Sequence, residues 1–164
     1  MSRRDFHKVI IGRSESLSFV GHDIVGVPAK TDTGAYRSAV HASDIKLNPK
    51  TGLLSFVLLG NHPVCGNMST KTEVKSFKKV SIENSFGHSE ERYEVKLKVK
   101  LGPKVFMARF TLADRSKKIY PILLGRKLLN DRFLVDSAES AINRVMLRER
   151  YSVAFPDDEE ERRE

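Results

Sequence analysis

Residues 29–42, AKTDTGAYRSAVHA, set a carboxylate, a hydroxyl and a glycine in succession at Asp32, Thr33 and Gly34, directly after the apolar approach IVGVPA (24–29). Asp, Thr and Gly all favour tight bends between strands, so a plain turn is one reading. The other reading is chemical. A carboxylate where an apolar strand ends is costly unless it is hydrogen-bonded or shares a proton. Thr33 adds a hydroxyl able to bond the backbone of a neighbouring loop. Gly34 lets a ligand backbone come close and allows dihedrals that a side chain forbids, and Ala35 keeps the floor of such a site shallow. Hydrolysing an amide by acid–base chemistry needs a base for water and an acid for the leaving group. No second Asp-Thr-Gly or Asp-Ser-Gly occurs in the chain. A catalytic Asp32 would therefore need a second copy of the chain to bring its mate.

The elements that must position this loop are mostly strands. In RYEVKLKVKL (92–101), Tyr93, Val95, Leu97, Val99 and Leu101 share one face, while Arg92, Glu94, Lys96, Lys98 and Lys100 share the other. That period of two describes a half-buried antiparallel strand with a solvated lysine face. KVFMARFTLA (104–113) follows after Gly102-Pro103, a hairpin signal. Further strands are expected at 7–11, 16–20, 24–30, 38–47, 53–59 and 73–82, separated by turn signals at 48–52, 60–67 and 83–91. Helical signals come late. GRKLLNDR (125–132) suits a short helix, and 136–151 suits a longer one, with Asp136 and Glu139 spaced as a capping box.

The bulk composition bounds the rest. A chain of 164 residues, 40% hydrophobic, fits one domain with a real core. No apolar run approaches the roughly 20 residues that span a bilayer, and the opening MSRRDFHKVIIG has no small-residue cleavage site, so the cytoplasm is expected and no membrane partner. A single cysteine, Cys65, excludes an internal disulfide. The formal charge of +8 is uneven: DDEEERRE (157–164) holds six acids, which leaves 1–156 at +12. The expected division is a domain over 1–155 and an acidic, disordered tail over 156–164. A basic body can attract nucleic acid, acidic peptides or its own tail, although a solvated surface accounts for the charge equally well.

AKTDTGA (29–35) resembles the active-site loop of retropepsin-like aspartic proteases, and YPILLGRKLL (120–129) resembles their second motif, two apolar residues with Gly and Arg leading into a short helix. The resemblance is closer to a bacterial and archaeal branch often labelled "ATP-dependent zinc protease", whose members occur near ribosomal-protein glutamate ligases. IGRSE (11–15), AKTDTGA (29–35), SAVHA (38–42), EERY (90–93), LADRS (112–116), YPILLGR (120–126) and FLVD (133–136) follow that branch in order. The label itself fails on the residues. There is no His-Glu-x-x-His and no Gly-x-x-x-x-Gly-Lys-Ser/Thr. His62 and Cys65 offer half of a zinc site that His41 or His88 would have to complete, but four ligands at workable spacing are missing. No metal or cofactor is expected.

The resemblance implies a mainly β fold, a retropepsin-like closed β-barrel with one or two short C-terminal helices, acting as a homodimeric aspartic peptidase on peptide or isopeptide bonds. Asp32, Thr33 and Gly34 would form the catalytic loop. Ala35, Tyr36 and Leu124, with Phe86 and Gly87 at the tip of a flap hairpin over 75–99, would touch the peptide or protein substrate; 53–82 is a rival flap. Gly125, Arg126, Asp114 and Arg115 would be structural supports. Retroviral enzymes carry an acid after the loop Ala that pairs with the helix Arg, whereas this chain has Tyr36; Arg126 then needs another partner, for which Asp114 is the candidate. Asp114 and Arg115 are alternatively an ion pair, and His41 reads as a satisfied core histidine. The competing function is a non-catalytic module of the same fold that binds or regulates, ribosome- or RNA-associated; nucleic acid is a partner that the basic charge permits but nothing else requires.

Overall fold

The computed structural model describes residues 7–83, 86–151 and Phe155. Its strands are β1 (Val9–Ile11), β2 (Ser14–Phe19), β3 (Ile24–Thr31), β4 (Ser38–Leu47), β5 (Leu54–Leu58), β6 (Thr70–Val74), β7 (Phe77–Glu83), β8 (Ser89–Leu101), β9 (Lys104–Ala113), β10 (Ile122–Leu124) and β11 (Phe133–Val135); its helices are α1 (Arg126–Leu129) and α2 (Arg144–Tyr151). Six strands close on themselves in the order β10-β3-β2-β8-β9-β4, with β4 pairing back to β10. The expected closed barrel is thus present. The short strand β10 is the keystone, parallel to β3 on one side and antiparallel to β4 on the other. Closure leaves no free edge in the ring.

Period-two alternation explains the core. Val95, Leu97, Val99 and Leu101 of β8 point inward to meet Leu17 and Phe19 of β2, Phe110 and Leu112 of β9, and Ile122 and Leu124 of β10. Phe19 and Phe110 meet edge to face, with centroids 5.9 Å apart. β5 and β6 extend the sheet beyond β4, β7 adds to β8, and β1 pairs in parallel with β11 as a separate ribbon. A smaller cluster of Val64, Ile119, Tyr120, Leu147 and Phe155 holds α2 against the loops.

Two local expectations need correction. The run 73–82 is not one strand: it breaks at Lys75-Ser76, so that β6 pairs with β5 while β7 pairs with β8. Its polar alternation runs on across the break and hides it. Residues 136–143 are not helical. Asp136 Oδ1 accepts from the Ala138 N–H in a local turn, and the segment straps onto the start of β2 through Arg13 N–H to Glu139 O and Ala141 N–H to Ser14 O. The helix begins only at Arg144, where Asn143 Oδ1 caps the Val145 N–H at 2.7 Å. The acidic segment 156–164 lies outside the described residues.

Candidate active site

β3 delivers Asp32 to the barrel rim. Thr31 is fixed first, its N–H donating to Arg13 O and its hydroxyl to Gly12 O. The Asp32 N–H then donates to Leu124 O at 2.9 Å, continuing the pairing with β10 by one residue. The loop turns on its own carboxylate: the Gly34 N–H donates to Asp32 Oδ1 at 3.2 Å and the Ala35 N–H to Asp32 O. Asp32 is half-buried, while Thr33, Gly34 and Tyr36 are exposed.

Helix α1 holds the loop from beneath. The first N–H groups of a helix lack intrahelical partners; here Arg126 N–H donates to Ala35 O and Lys127 N–H to Tyr36 O, at 2.8 and 2.9 Å. The Gly125 N–H donates to the buried Ser38 hydroxyl. A Cβ on Gly125 would stand 2.5 Å from Arg37 O and 2.9 Å from Tyr36 O, so the loop backbone occupies the space a side chain would need. The Arg126 guanidinium donates to Thr33 O and lies 5.9 Å from the centre of the Tyr36 ring. Arg37 and Lys127 approach the same ring at 5.8 and 5.9 Å. The acid missing at position 36 is thus answered by an aromatic face among three cations.

Asp114 is not the partner of Arg126, nor is it paired with Arg115. Its carboxylate accepts from the Ser116 hydroxyl and N–H, bonds that hold its pKa below the ordinary aspartate value. Arg115 is buried and donates from Nε to Tyr120 O. Beside it His41 is satisfied by backbone on both nitrogens, Nε2 donating to Gly60 O and Nδ1 accepting from Arg115 N–H. His62 likewise gives Nε2 to Arg115 O and Lys118 O and takes the Val64 N–H on Nδ1. Burial lowers His41, and burial with the neighbouring His41 brings His62 down to about 4. Burial also pushes the Cys65 thiol up to about 12. Backbone bonds therefore occupy both His62 nitrogens.

The structure brings Asp32, Thr33, Gly34, Ala35, Tyr36, Gly125 and Arg126 into one loop-and-helix unit. Leu124, expected to touch substrate, is instead fully buried: its side chain packs in the barrel core and only its carbonyl meets the loop, at the Asp32 N–H. Phe86 and Gly87 stand at the exposed tip between β7 and β8, within the span 75–99; the rival span holds the β5–β6 pair.

One charged group escaped the sequence pattern. Glu94, on the lysine face of β8, is only 4% exposed. It binds Arg37 through a short charged hydrogen bond, with Lys127 Nζ at 3.5 Å and Arg109 Nη1 at 3.7 Å. Burial would raise its pKa, but the Arg37 hydrogen bond and the Lys127 charge outweigh burial and hold it below the usual glutamate value. The available signal was that Glu94 is the single acid in a row of Arg92, Lys96, Lys98 and Lys100.

The family model described as "RimB-like: Retropepsin-like aspartic endopeptidase RimB" matches residues 10–146. A probable alpha-L-glutamate ligase of Desulfotalea psychrophila is 33% identical over 139 residues, covering 82% of this chain and 29% of that protein. One from Shewanella pealeana is 32% identical over 138 residues, covering 82% and 30%. The chain thus spans less than a third of the length of these relatives. Among solved structures, protein Lpg0085 of Legionella pneumophila, of unknown function (DUF785), superposes with a TM-score of 0.65 at 29% identity, covering 80% of this chain and 95% of that one.

Proposed function

The chain belongs to the RimB-like family of retropepsin-like aspartic endopeptidases, and from that membership we propose that it hydrolyses peptide or isopeptide bonds as a homodimer, with one Asp32 from each copy. The observation that carries this reading is the Asp32 carboxylate itself, half-buried at the rim and held on a loop that α1 fastens from beneath. Two such carboxylates a few ångströms apart cannot both ionise readily, so the pair holds one proton at working pH. The ionised member takes a proton from water as the water oxygen attacks the carbonyl carbon. The protonated member gives its proton to the carbonyl oxygen. The member that took the water proton then passes it to the departing nitrogen as the C–N bond breaks, and a hydroxyl of the tetrahedral intermediate returns the other proton as the carboxyl product forms. No covalent intermediate with the protein forms.

Acidic, glutamate-bearing peptides are the substrate class we favour. The basic body of +12 over 1–156 attracts them, and the matched segment also occurs in relatives named as glutamate ligases.

The test is cleavage of a peptide library that includes glutamate-rich sequences, by wild type and by Asp32→Asn, from pH 4 to 7. Cleavage by wild type alone supports the reading. Equal background from both proteins would leave a binding module of the same fold.

A further inference from the structure

Alternation along β8 assigns Glu94 to solvent with Lys96, Lys98 and Lys100, yet it is buried under side chains from three other elements. Arg37 leaves the Asp32 loop, Arg109 comes from β9 and Lys127 from α1. Lys78 of β7 and Thr111 of β9 are its register partners on either side, and Lys96 lines the same small cavity. One carboxylate therefore stands among several cations that would otherwise repel one another at short range.

The connections form a closed circuit. The Arg37 side chain binds Glu94, Glu94 binds the Lys127 side chain, and the Lys127 N–H donates to the carbonyl of Tyr36, the residue before Arg37. The Arg37–Glu94 hydrogen bond is charge-assisted, the stronger kind, while Lys127 adds a charge contact at 3.5 Å; the carboxylate is buried and the two cations are 31% and 33% exposed. The circuit ties the end of the Asp32 loop and the start of α1 to the barrel wall.

We propose that Glu94 is a positioning residue: its buried carboxylate fastens the Asp32 loop and helix α1 to strand β8, and so sets where the Asp32 carboxylate stands. Glu94 acts through Arg37 and Lys127, not on substrate. The catalytic consequence rests on the peptidase reading above; the mechanical one does not. Glu94→Gln keeps the shape but removes the countercharge, so the cations separate and carry the loop end and α1 with them.

The experiment follows amide hydrogen exchange and peptide cleavage together in wild type, Glu94→Gln, Glu94→Asp and Lys127→Met. Lys127→Met keeps the Arg37–Glu94 pair and opens the link to α1, removing with it one of the cations beside the Tyr36 ring, so it serves if Glu94→Gln does not fold. The expected result is exchange on the order of tenfold faster at the Ala35, Arg126 and Lys127 amides in Glu94→Gln and Lys127→Met, with β2, β8 and β9 amides unchanged. Glu94→Asp should recover part of the protection. Where wild type cleaves peptide, kcat should fall on the order of tenfold in Glu94→Gln while KM moves less than threefold. Unchanged loop exchange, or exchange raised uniformly across the barrel, would overturn the proposal. If wild type proves inactive, the peptidase reading fails while the exchange pattern still decides the role of Glu94.

Discussion

Arg126 Nη1 donates to the carbonyl of Thr33 at 2.9 Å, across 93 positions of sequence, so the first residue of α1 grips the backbone beside Asp32. The same residue's N–H binds Ala35 O, giving two holds on the loop, one through the side chain and one through the backbone. Arg126→Met removes only the first. The guanidinium is exposed, so the stability cost should be no more than about 1 kcal/mol in a urea melt. On the proposed peptidase reading, cleavage should suffer more, falling on the order of tenfold, because the lost bond restrains a residue adjacent to the Asp32 carboxylate. A large stability loss with unchanged kcat would reverse that assignment.

Gly125→Ala tests the packing beneath the loop. The added Cβ would meet the Arg37 carbonyl oxygen at 2.5 Å and its carbon at 2.6 Å, both backbone atoms that no rotamer change can move aside. Overpacking of this kind costs about 1–3 kcal/mol. Denaturant unfolding should show that loss, and the Arg126 and Lys127 amides should lose protection with it. An unshifted midpoint would mean that the loop yields freely.

How far these relations were legible from sequence depends on their range. The strands expected at 38–47 and 104–113 form with those bounds. The ordered motifs located Asp32 and the Gly125-Arg126 pair. What sequence could not show were contacts between residues far apart that share no local signature. Glu94 looked solvated because period two reports only the face of its own strand, and α1, the Asp32 loop and β9 are what cover that face. Arg126 was assigned to Asp114 on charge, whereas the bond that forms is to a backbone carbonyl, a partner present at every position and so invisible to residue type. The Asp136–Glu139 pattern failed as a helix start because 136–143 finds better backbone partners on β2.

The buried histidines predict a pH dependence of stability. His62 is 2% exposed with its pKa brought down to about 4, against 6.5 unfolded, and His41 is lowered beside it. Between those values the unfolded chain holds more protons, so stability should be full above about pH 6.5 and be lost as pH falls toward 4. His62 alone contributes on the order of 3 kcal/mol across that window. Glu94, also lowered, adds in the same direction only below about pH 4.5. Urea unfolding from pH 4.5 to 7.5 should therefore steepen with acid. In His62→Gln the curve should flatten and start lower at pH 7.5, since the Gln amide can still donate to the Arg115 and Lys118 carbonyls but leaves no acceptor at the Nδ1 position that takes the Val64 N–H. A slope unchanged in that variant would remove His62 from the account.

On the proposed peptidase reading, a dyad built from one Asp32 per chain would make activity a property of pairs. Specific activity should fall as the protein is diluted through its dimer dissociation constant, with sedimentation showing the loss of dimer over the same range. Mixing supplies the sharper measurement. Asp32→Asn leaves the loop backbone and α1 bonds intact, so variant chains should exchange into dimers and leave them with a single ionisable carboxyl. Equal amounts of variant and wild type, allowed to exchange, should reduce cleavage to roughly half that of the same wild type alone, as random pairing requires for a symmetric dimer. Further excess should lower it progressively. Adding an unrelated protein at the same concentration should change nothing. Cleavage that stays constant as the variant is added, with exchange verified by tagged chains, would show that one chain carries the chemistry alone and would exclude a shared carboxylate pair.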